Sequence, residues 1–417
     1  MKPYYSFLLT ILVLSSASVL AQSPGCDGER YISPIFSELT ETFNIKYGEN
    51  TSLSGETVEL LLDVFEPEES DVNERPLVLL IHGGGFVSGD KAIMHDICRG
   101  FASRGYVSAT MSYRLYDGPL PPFPDSIALI GAVIDAIEDA HGAMRFFIDD
   151  AQNDDVYGID PDMIFLGGGS AGGITSVWAA YMDENDYIPD FMAEHIDPDY
   201  GIPGASNDLT DISPEIQGVL NYSGAIYDVS WMNENDEPVF SVHDDGDPVV
   251  PYGTGFANPA GFPLISLQGP ETMHAKAQEL GVQSDLYIFE NSPGHVSYFQ
   301  DLSSAVATEV IDSSSVFLEA IACADPSSVD IQNKEYLNIV ATPNPSNANI
   351  LLEIPQEFMD GKVEVFNASG QIKYTQKVSS LNLNLNTTEL GKGVFVVRVS
   401  SDPAYGSFYT TKRIVFN

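Results

Sequence analysis

Two glycine-rich turns, His82-Gly83-Gly84-Gly85-Phe86 and Gly168-Gly169-Ser170-Ala171-Gly172-Gly173, each follow directly on a short apolar run, at 76–81 and 162–166. The second turn fits G-x-S-x-G, whose small residues let a chain reverse sharply from strand to helix and leave a serine hydroxyl exposed in a strained elbow. A hydroxyl so placed is a nucleophile for acyl transfer once a base can take its proton. The tetrahedral intermediate of that chemistry carries a negative oxygen that needs fixed N–H donors, and the first glycine turn lets a backbone approach closely enough to supply them. Phosphate- or dinucleotide-binding turns are the competing use of glycine clusters. The glycines of the second turn are not followed by a Lys, which argues against a phosphate-binding loop.

Hydrolases built on a strand, elbow and helix carry their acid and then their histidine after the serine. His82, His95 and His141 precede Ser170 and are eliminated. His195 falls in an acidic insertion, and His243 ends a predicted strand beside the candidate acid. His274 sits in a predicted helix running to Gly281. His295 follows a predicted strand at 285–289 and the turn Ser292-Pro293-Gly294, where a general base belongs, and is the chosen histidine. The acid comes from His243-Asp244-Asp245-Gly246-Asp247-Pro248. Asp247 is chosen because it has cleared the strand edge, whereas Asp244 and Asp245 are read as solvated turn residues. His295 would take the proton of Ser170 as it attacks an ester carbonyl, and water activated by the same ring would release the acid. No metal or organic cofactor is required.

With these residues in place the chain resembles the α/β-hydrolase superfamily, in particular secreted carboxylesterases and the bacterial feruloyl-esterase-like branch. The resemblance covers residues 30–323. It rests on Leu62-Asp63-Val64-Phe65-Glu66-Pro67, the HGGGF turn continuing into Val87-Ser88-Gly89-Asp90-Lys91, Arg104-Gly105-Tyr106-Val107, Ser112-Tyr113-Arg114-Leu115, the serine elbow, Gly246-Asp247 and Gly294-His295. It implies hydrolysis of carboxylic esters, with the backbone N–H groups of Gly84, Gly85 and Ala171 as oxyanion donors. One departure is Asp244-Asp245, where relatives commonly place a glycine after the histidine. A serine peptidase of the oligopeptidase kind shares the fold and the residue order, but usually completes its oxyanion hole with a tyrosine. A catalytically silent binding protein would be expected to lack the serine, the histidine or a glycine of the turn.

The elements that must position these residues read as an α/β fold with a mostly parallel sheet. Predicted strands at 59–65, 77–81, 107–113, 163–166, 217–222, 238–242 and 285–289 alternate with helical stretches such as 126–149, whose apolar stripe is core. Lys2 and the apolar run 7–14 ending in small residues read as a cleavable secretory signal over 1–21, and no segment approaches the ~20 apolar residues of a membrane span. The catalytic domain is expected over 22–325 and a linker over 326–338. Three cysteines allow one disulfide in an oxidising compartment. Cys26 with Cys98 is favoured because it would tie down the N-terminal segment; a bridge to Cys323, or three thiols, stays open.

The chain holds 60 acidic against 18 basic residues, a formal charge of −42, which excludes nucleic acid as a target. From residue 339 onward seven Lys and Arg face six Asp and Glu, so the acidic excess lies before it and the step marks a domain boundary. The tail 339–417 alternates as short strands of a small β-sandwich. It resembles the C-terminal sorting domain of the type IX secretion pathway through Pro343-Asn344-Pro345, Val365-Phe366-Asn367-Ala368-Ser369-Gly370, Leu390-Gly391-Lys392-Gly393-Val394-Phe395 and Lys412-Arg413-Ile414-Val415. That resemblance implies recognition by the secretion machinery and a secreted or surface-held protein. A carbohydrate-binding sandwich is the alternative, disfavoured because the tail has no tryptophan. The stretch 182–214 is either a cap over the acyl pocket or an acidic surface loop. Phe86, Tyr113, Trp231 and Tyr252 are candidates to line an aromatic-friendly cleft, and feruloyl, acetyl or polyester substrates follow by analogy alone.

Overall fold

The computed structural model describes residues 25–68, 70, 72–120, 123–324, 339–344, 346, 348–359, 361–367, 372–400 and 409–416. The signal segment expected at 1–21, the linker expected at 326–338 and Ala368-Ser369-Gly370 of the tail lie outside them. Ten strands precede the tail: β1 (Leu39–Thr51), β2 (Thr57–Pro67), β3 (Arg75–Ile81), β4 (Val107–Met111), β5 (Ile159–Gly169), β6 (Gly218–Tyr222), β7 (Val239–Asp244), β8 (Thr254–Phe256), β9 (Ser266–Gln268) and β10 (Ser284–Phe289). Eight form one sheet in the order β1-β2-β4-β3-β5-β6-β7-β10. β1, β2 and β4 pair antiparallel, and every pairing from β4 to β10 is parallel.

The central strands are continuous apolar runs because both faces of the sheet are covered. On β3, Leu77, Leu79 and Ile81 enter a cluster with Ile134, Ile137, Val177 and Trp178 of α2 (Ser126–Gln152) and α3 (Ala171–Tyr181). Val78 and Leu80 face the other way, into a cluster with Ile97 and Phe101 of α1 (His95–Ala102) and Val310 and Phe317 of α6 (Ala305–Ala322). The period of two along one strand thus sorts its side chains between two cores. α4 (Asp190–Ala193) lies against α2, and α5 (Pro270–Leu280) connects the β8–β9 hairpin to β10. Among the described residues no helix is long and apolar enough to cross a membrane.

The expected strands are present, and the sequence pattern misses β1. Its side chains are largely exposed and mostly polar, and its pairing with β2 is broken by two irregularities, so it shows no apolar run. The favoured cysteine pairing is also corrected. Cys26 bonds Cys323, at the end of α6, with Cα atoms 5.6 Å apart. Cys98 faces inward from α1, fully buried and free, and burial pushes its thiol up to about 12. The N-terminal segment is tied down as expected, to α6 instead of α1.

The tail carries β11 (Val340–Thr342), β12 (Asn349–Glu353), β13 (Lys362–Asn367), β14 (Ile372–Lys377), β15 (Asn382–Asn386), β16 (Gly393–Ser400), β17 (Tyr409–Phe416) and the short α7 (Thr387–Leu390). A three-stranded sheet, β11-β12-β15, and a four-stranded one, β14-β13-β16-β17, are both antiparallel and share one apolar cluster that includes Ile350, Leu352, Val365, Val397 and Ile414.

A buried ion cluster supports the segment beneath the first glycine turn. The Arg114 guanidinium, 3% exposed, meets Asp135 at 2.9 Å, Glu138 at 2.7 Å and Asp139 at 2.9 Å, all on α2. The Arg114 N–H also donates to Asp139 at 2.7 Å. Next to it, the Tyr113 hydroxyl donates to the His82 carbonyl at 3.0 Å and the Tyr116 N–H to the Phe86 carbonyl at 2.8 Å, so both ends of the turn 82–86 rest on this segment. Replacing Arg114 by Met strands three carboxyl groups without their cation and should cost about 3 to 5 kcal/mol of unfolding free energy in a urea titration. Burial pushes Asp135 from an ordinary 3.8 up to about 7 and Glu138 from 4.5 up to about 6, with Arg114 pulling the other way. The folded state therefore keeps protons that the unfolded chain has released. The stability linked to these two groups is full below about pH 4 and is lost as pH rises through 6 to 7, so thermal midpoints should be higher at pH 5 than at pH 8, with that difference changed in Arg114→Met.

Candidate active site

Ser170 joins β5 to α3 with φ 56° and ψ −115°, a conformation that costs a non-glycine residue about 1 to 3 kcal/mol. The neighbouring structure holds it there: the Ser170 N–H donates to the Tyr222 carbonyl of β6 at 2.8 Å, and its carbonyl accepts the Ile174 N–H at 2.9 Å. The turn 82–86 lies directly alongside, since a Cβ on Gly83 would be 3.2 Å from the Ser170 Cβ. Gly84, at φ 128°, could carry no side chain, because its Cβ would meet the Ser88 carbonyl oxygen at 1.8 Å.

The loops after β7 and β10 bring the other two chosen residues to the serine. His295 Nδ1 lies 2.7 Å from Asp247 Oδ2, and its Nε2 lies 2.7 Å from Ser170 Oγ. A carboxylate only accepts, so Nδ1 carries the proton, Nε2 presents a lone pair, and the serine hydroxyl donates to it. The Asp247 side chain is wholly buried, and its other oxygen accepts the N–H groups of Val249 at 2.8 Å and Val250 at 3.1 Å. These bonds fix the carboxylate plane before the imidazole meets it. The arrangement can draw a proton off the hydroxyl and stabilise the imidazolium that results.

Gly85 and Ala171 line the same cleft as Ser170, with Ala171 opening the 11-residue α3; Gly84 shapes the turn behind them and is not itself a lining residue. The cleft is walled by apolar side chains, among them Phe86, Leu129, Ile130, Ile174, Trp178 and Leu267. Of the aromatic candidates only Phe86 lines it. Tyr113 stacks on His82 with ring centres 4.4 Å apart, Trp231 packs edge-on against Trp178 at 5.3 Å, and Tyr252 sits by His243. Sequence reasoning passed over Trp178, whose place on the first turns of the helix after the elbow was the available signal. No residue of 182–214 lines the cleft; residues from Val249 to Leu267 do.

Five of the other six histidines are held elsewhere. His82 donates to the Gly83 carbonyl at 2.8 Å, and burial lowers its pKa. His95 contacts Asp63 at 2.8 Å, His141 contacts its own helix at the Ile137 carbonyl, and His274 meets Ser284 at 2.9 Å on α5 as expected. His243 donates from Nε2 to the Val250 carbonyl at 3.0 Å, 3.5 Å from Asp247, and burial lowers its pKa. The reading of Asp244 and Asp245 as solvated is corrected for Asp244. Its carboxylate is buried, accepting from the hydroxyls of Ser292 and Ser297, while exposed Asp245 accepts the N–H groups of Asn291 and Ser292.

Residues 62–224 match the BD-FAE family model, an esterase-like α/β hydrolase domain, and residues 341–417 match the secretion system C-terminal sorting domain, which addresses a protein through the type IX system to the cell surface or beyond. Two curated relatives are the non-reducing polyketide synthases ausA of Emericella nidulans, 30% identical over 132 residues, and atr1 of Stereocaulon alpinum, 28% over 131. Those stretches are 30% and 29% of this chain and 5% of each synthase. Among solved structures, a truncated carbohydrate esterase from gut microbiota aligns at a TM-score of 0.49 with 16% identity, over 70% of this chain and 98% of that one. Propionate-bound esterase 2 of the planctomycete Thermogutta terrifontis aligns at 0.47 with 19% identity, over 68% and 95%.

The hydrogen-bonded chain predicts a hyper-reactive serine. A fluorophosphonate probe should modify the folded protein once, at Ser170, and Asp247→Asn should slow that labelling by about 10⁴-fold, since the wrong imidazole tautomer would face the hydroxyl. Equal labelling rates in a stopped time course would contradict the role of the carboxylate.

Proposed function

We propose that this chain, an esterase-like α/β hydrolase exported by way of its type IX sorting domain, cleaves carboxylic esters by two-step acyl transfer through Ser170, His295 and Asp247. The observation that carries the reading is the unbroken series of 2.7 Å contacts from Ser170 Oγ through the imidazole to a buried carboxylate. His295 takes the hydroxyl proton as Oγ attacks the ester carbonyl. The same proton passes to the departing alkoxide, giving alcohol and acyl-serine. Water then repeats the sequence on the acyl-enzyme and frees the acid. The N–H groups of Gly84, Gly85 and Ala171 stabilise the negative oxygen, an effect worth about 3 to 4 kcal/mol per donor.

The cleft favours an apolar group on the substrate. Among the described residues, Ser126 is the one lining residue besides Ser170 with a hydroxyl, and that hydroxyl donates to the Leu264 carbonyl at 3.0 Å. A feruloyl phenol would therefore find few partners there, whereas an alkanoyl chain would leave none of its own groups unpaired.

Hydrolysis of p-nitrophenyl esters from acetate to octanoate tests both statements. kcat/KM should rise by about fourfold per methylene until the cleft is filled, as burial of ~0.8 kcal/mol per CH₂ requires, and methyl ferulate should be a poorer substrate than the octanoate. Ser170→Ala should lose about 10⁶-fold in kcat on every ester. An active Ser170→Ala protein would overturn the mechanism, and a preference for ferulate would overturn the substrate class alone.

A further inference from the structure

We infer that Asp244 is a positioning residue for His295, its buried carboxylate pinning the loop on both sides of the imidazole; this rests on the assignment of His295 as the base. The loop from β10 to the histidine contains Asn291-Ser292-Pro293-Gly294-His295-Val296-Ser297. Asp244 Oδ1 accepts the Ser292 hydroxyl and the Ser297 hydroxyl, each at 2.5 Å, and Oδ2 accepts the Ser297 N–H at 3.1 Å. Those partners lie three residues before the histidine and two after it. The chain between them passes directly over the carboxylate, so that a Cβ on Gly294 would stand 3.2 Å from Oδ1 and 2.5 Å from the Ser297 Cβ.

Two features make this a clamp on His295 and not merely a contact. Asp244 is fully buried, and among the described residues no Lys or Arg pairs with it, so the loop's own donors are what compensate its charge. Releasing the loop would leave a buried carboxylate unsatisfied, which strongly opposes release. The loop also contains a conformation that would otherwise relax. Val296, next to the histidine, is β-branched yet sits at φ 49° and ψ 38°, in the left-handed region. Such strain persists only where the surroundings over-determine it. Asp245 adds a second hold upstream, accepting the N–H groups of Asn291 at 2.8 Å and Ser292 at 3.0 Å. Asp247 belongs to the same turn, its N–H donating to the Asp244 carbonyl at 3.1 Å. One turn thus carries the carboxylate that orients the ring and the carboxylate that holds the backbone bearing it.

The test uses the full chain with Asp244→Ala, the pair Ser292→Ala with Ser297→Ala, and all three together, assayed on a p-nitrophenyl ester at a temperature where circular dichroism shows each protein folded. Loosening the loop should lower kcat by about 10²-fold, the cost of an ångström-scale misplacement of a catalytic group, with KM within about twofold of wild type. The triple variant should lose no more than Asp244→Ala alone, because the aspartate acts through those two serines. Ser108→Ala, a buried hydroxyl on β4 bonded to the Val78 carbonyl, serves as a stability control and should keep wild-type kcat. A lower melting temperature with unchanged kcat in Asp244→Ala would reduce the residue to a structural role and overturn the inference. Additive losses in the triple variant would overturn it as well. If Asp244→Ala does not fold, the serine pair alone decides, through the same split between kcat and KM. Loss of activity in Ser170→Ala with full kcat in the loop variants would reject this inference while leaving the serine mechanism standing; activity in Ser170→Ala would reject both.

Discussion

The carbonyl oxygen of Ile81, at the end of β3, occupies the space that a side chain on either flank of the serine elbow would need. A Cβ on Gly172 would lie 2.0 Å from it and one on Gly168 2.4 Å. Glycine at these positions lets the end of β5 and the start of α3 close against β3, and that contact sets the turn 82–86 beside Ser170. The approach is backbone against backbone, so no rotamer change can loosen it. The parallel register of the sheet does the rest. Phe289 pairs with Asp244, which puts the loop carrying His295 next to the turn carrying Asp247 at the same edge of the sheet. Ligands in open α/β sheets gather outside the carboxyl ends of the strands, and the serine, acid and histidine all leave from those ends.

An excess of acidic over basic residues this large shapes how buried carboxylates are stabilised. Away from the site, cations meet them: Lys91 meets Asp63, and Arg114 meets three acids of α2. At the site, neutral donors do the work. Asp247 is held by two backbone N–H groups and the imidazole, Asp244 by one backbone N–H and two hydroxyls. A nearby guanidinium would hold an aspartate as firmly, but it would also oppose the positive charge that His295 would acquire in the proposed acyl transfer. Neutral donors avoid that conflict.

What could be read in the sequence was set by how local the cause is. Ser170 and the turn 82–86 announced themselves because a sharp reversal and a close backbone approach demand small residues at fixed offsets. The central strands were legible as apolar runs, since they are buried on both faces. β1 was not, because an edge strand exposed along much of its length looks like a polar loop. The cysteine pairing turned on which of two helices Cys26 meets, a fact of packing that no spacing records. Asp244 was misjudged for the same reason. In a chain of turn residues an aspartate looks solvated, and only the fold brings Ser292 and Ser297, some fifty residues on, down over it.

The apolar cleft and the acidic coat bear on the two ends of the reaction in opposite ways. A neutral ester gains from burial in a cleft walled by Leu129, Ile130, Trp178 and their neighbours, and its entry is indifferent to the net charge of −42. Hydrolysis then creates a carboxylic acid that ionises in water. The same cleft penalises that carboxylate for lost hydration and offers it no cation, while the summed negative potential of the surface disfavours its return. On the proposed reaction the product would therefore be bound more weakly than the substrate, for reasons that involve no moving part. For an exported enzyme this asymmetry would keep the site open to the next ester, with the apolar cleft and the acidic excess both contributed by the residues before 339.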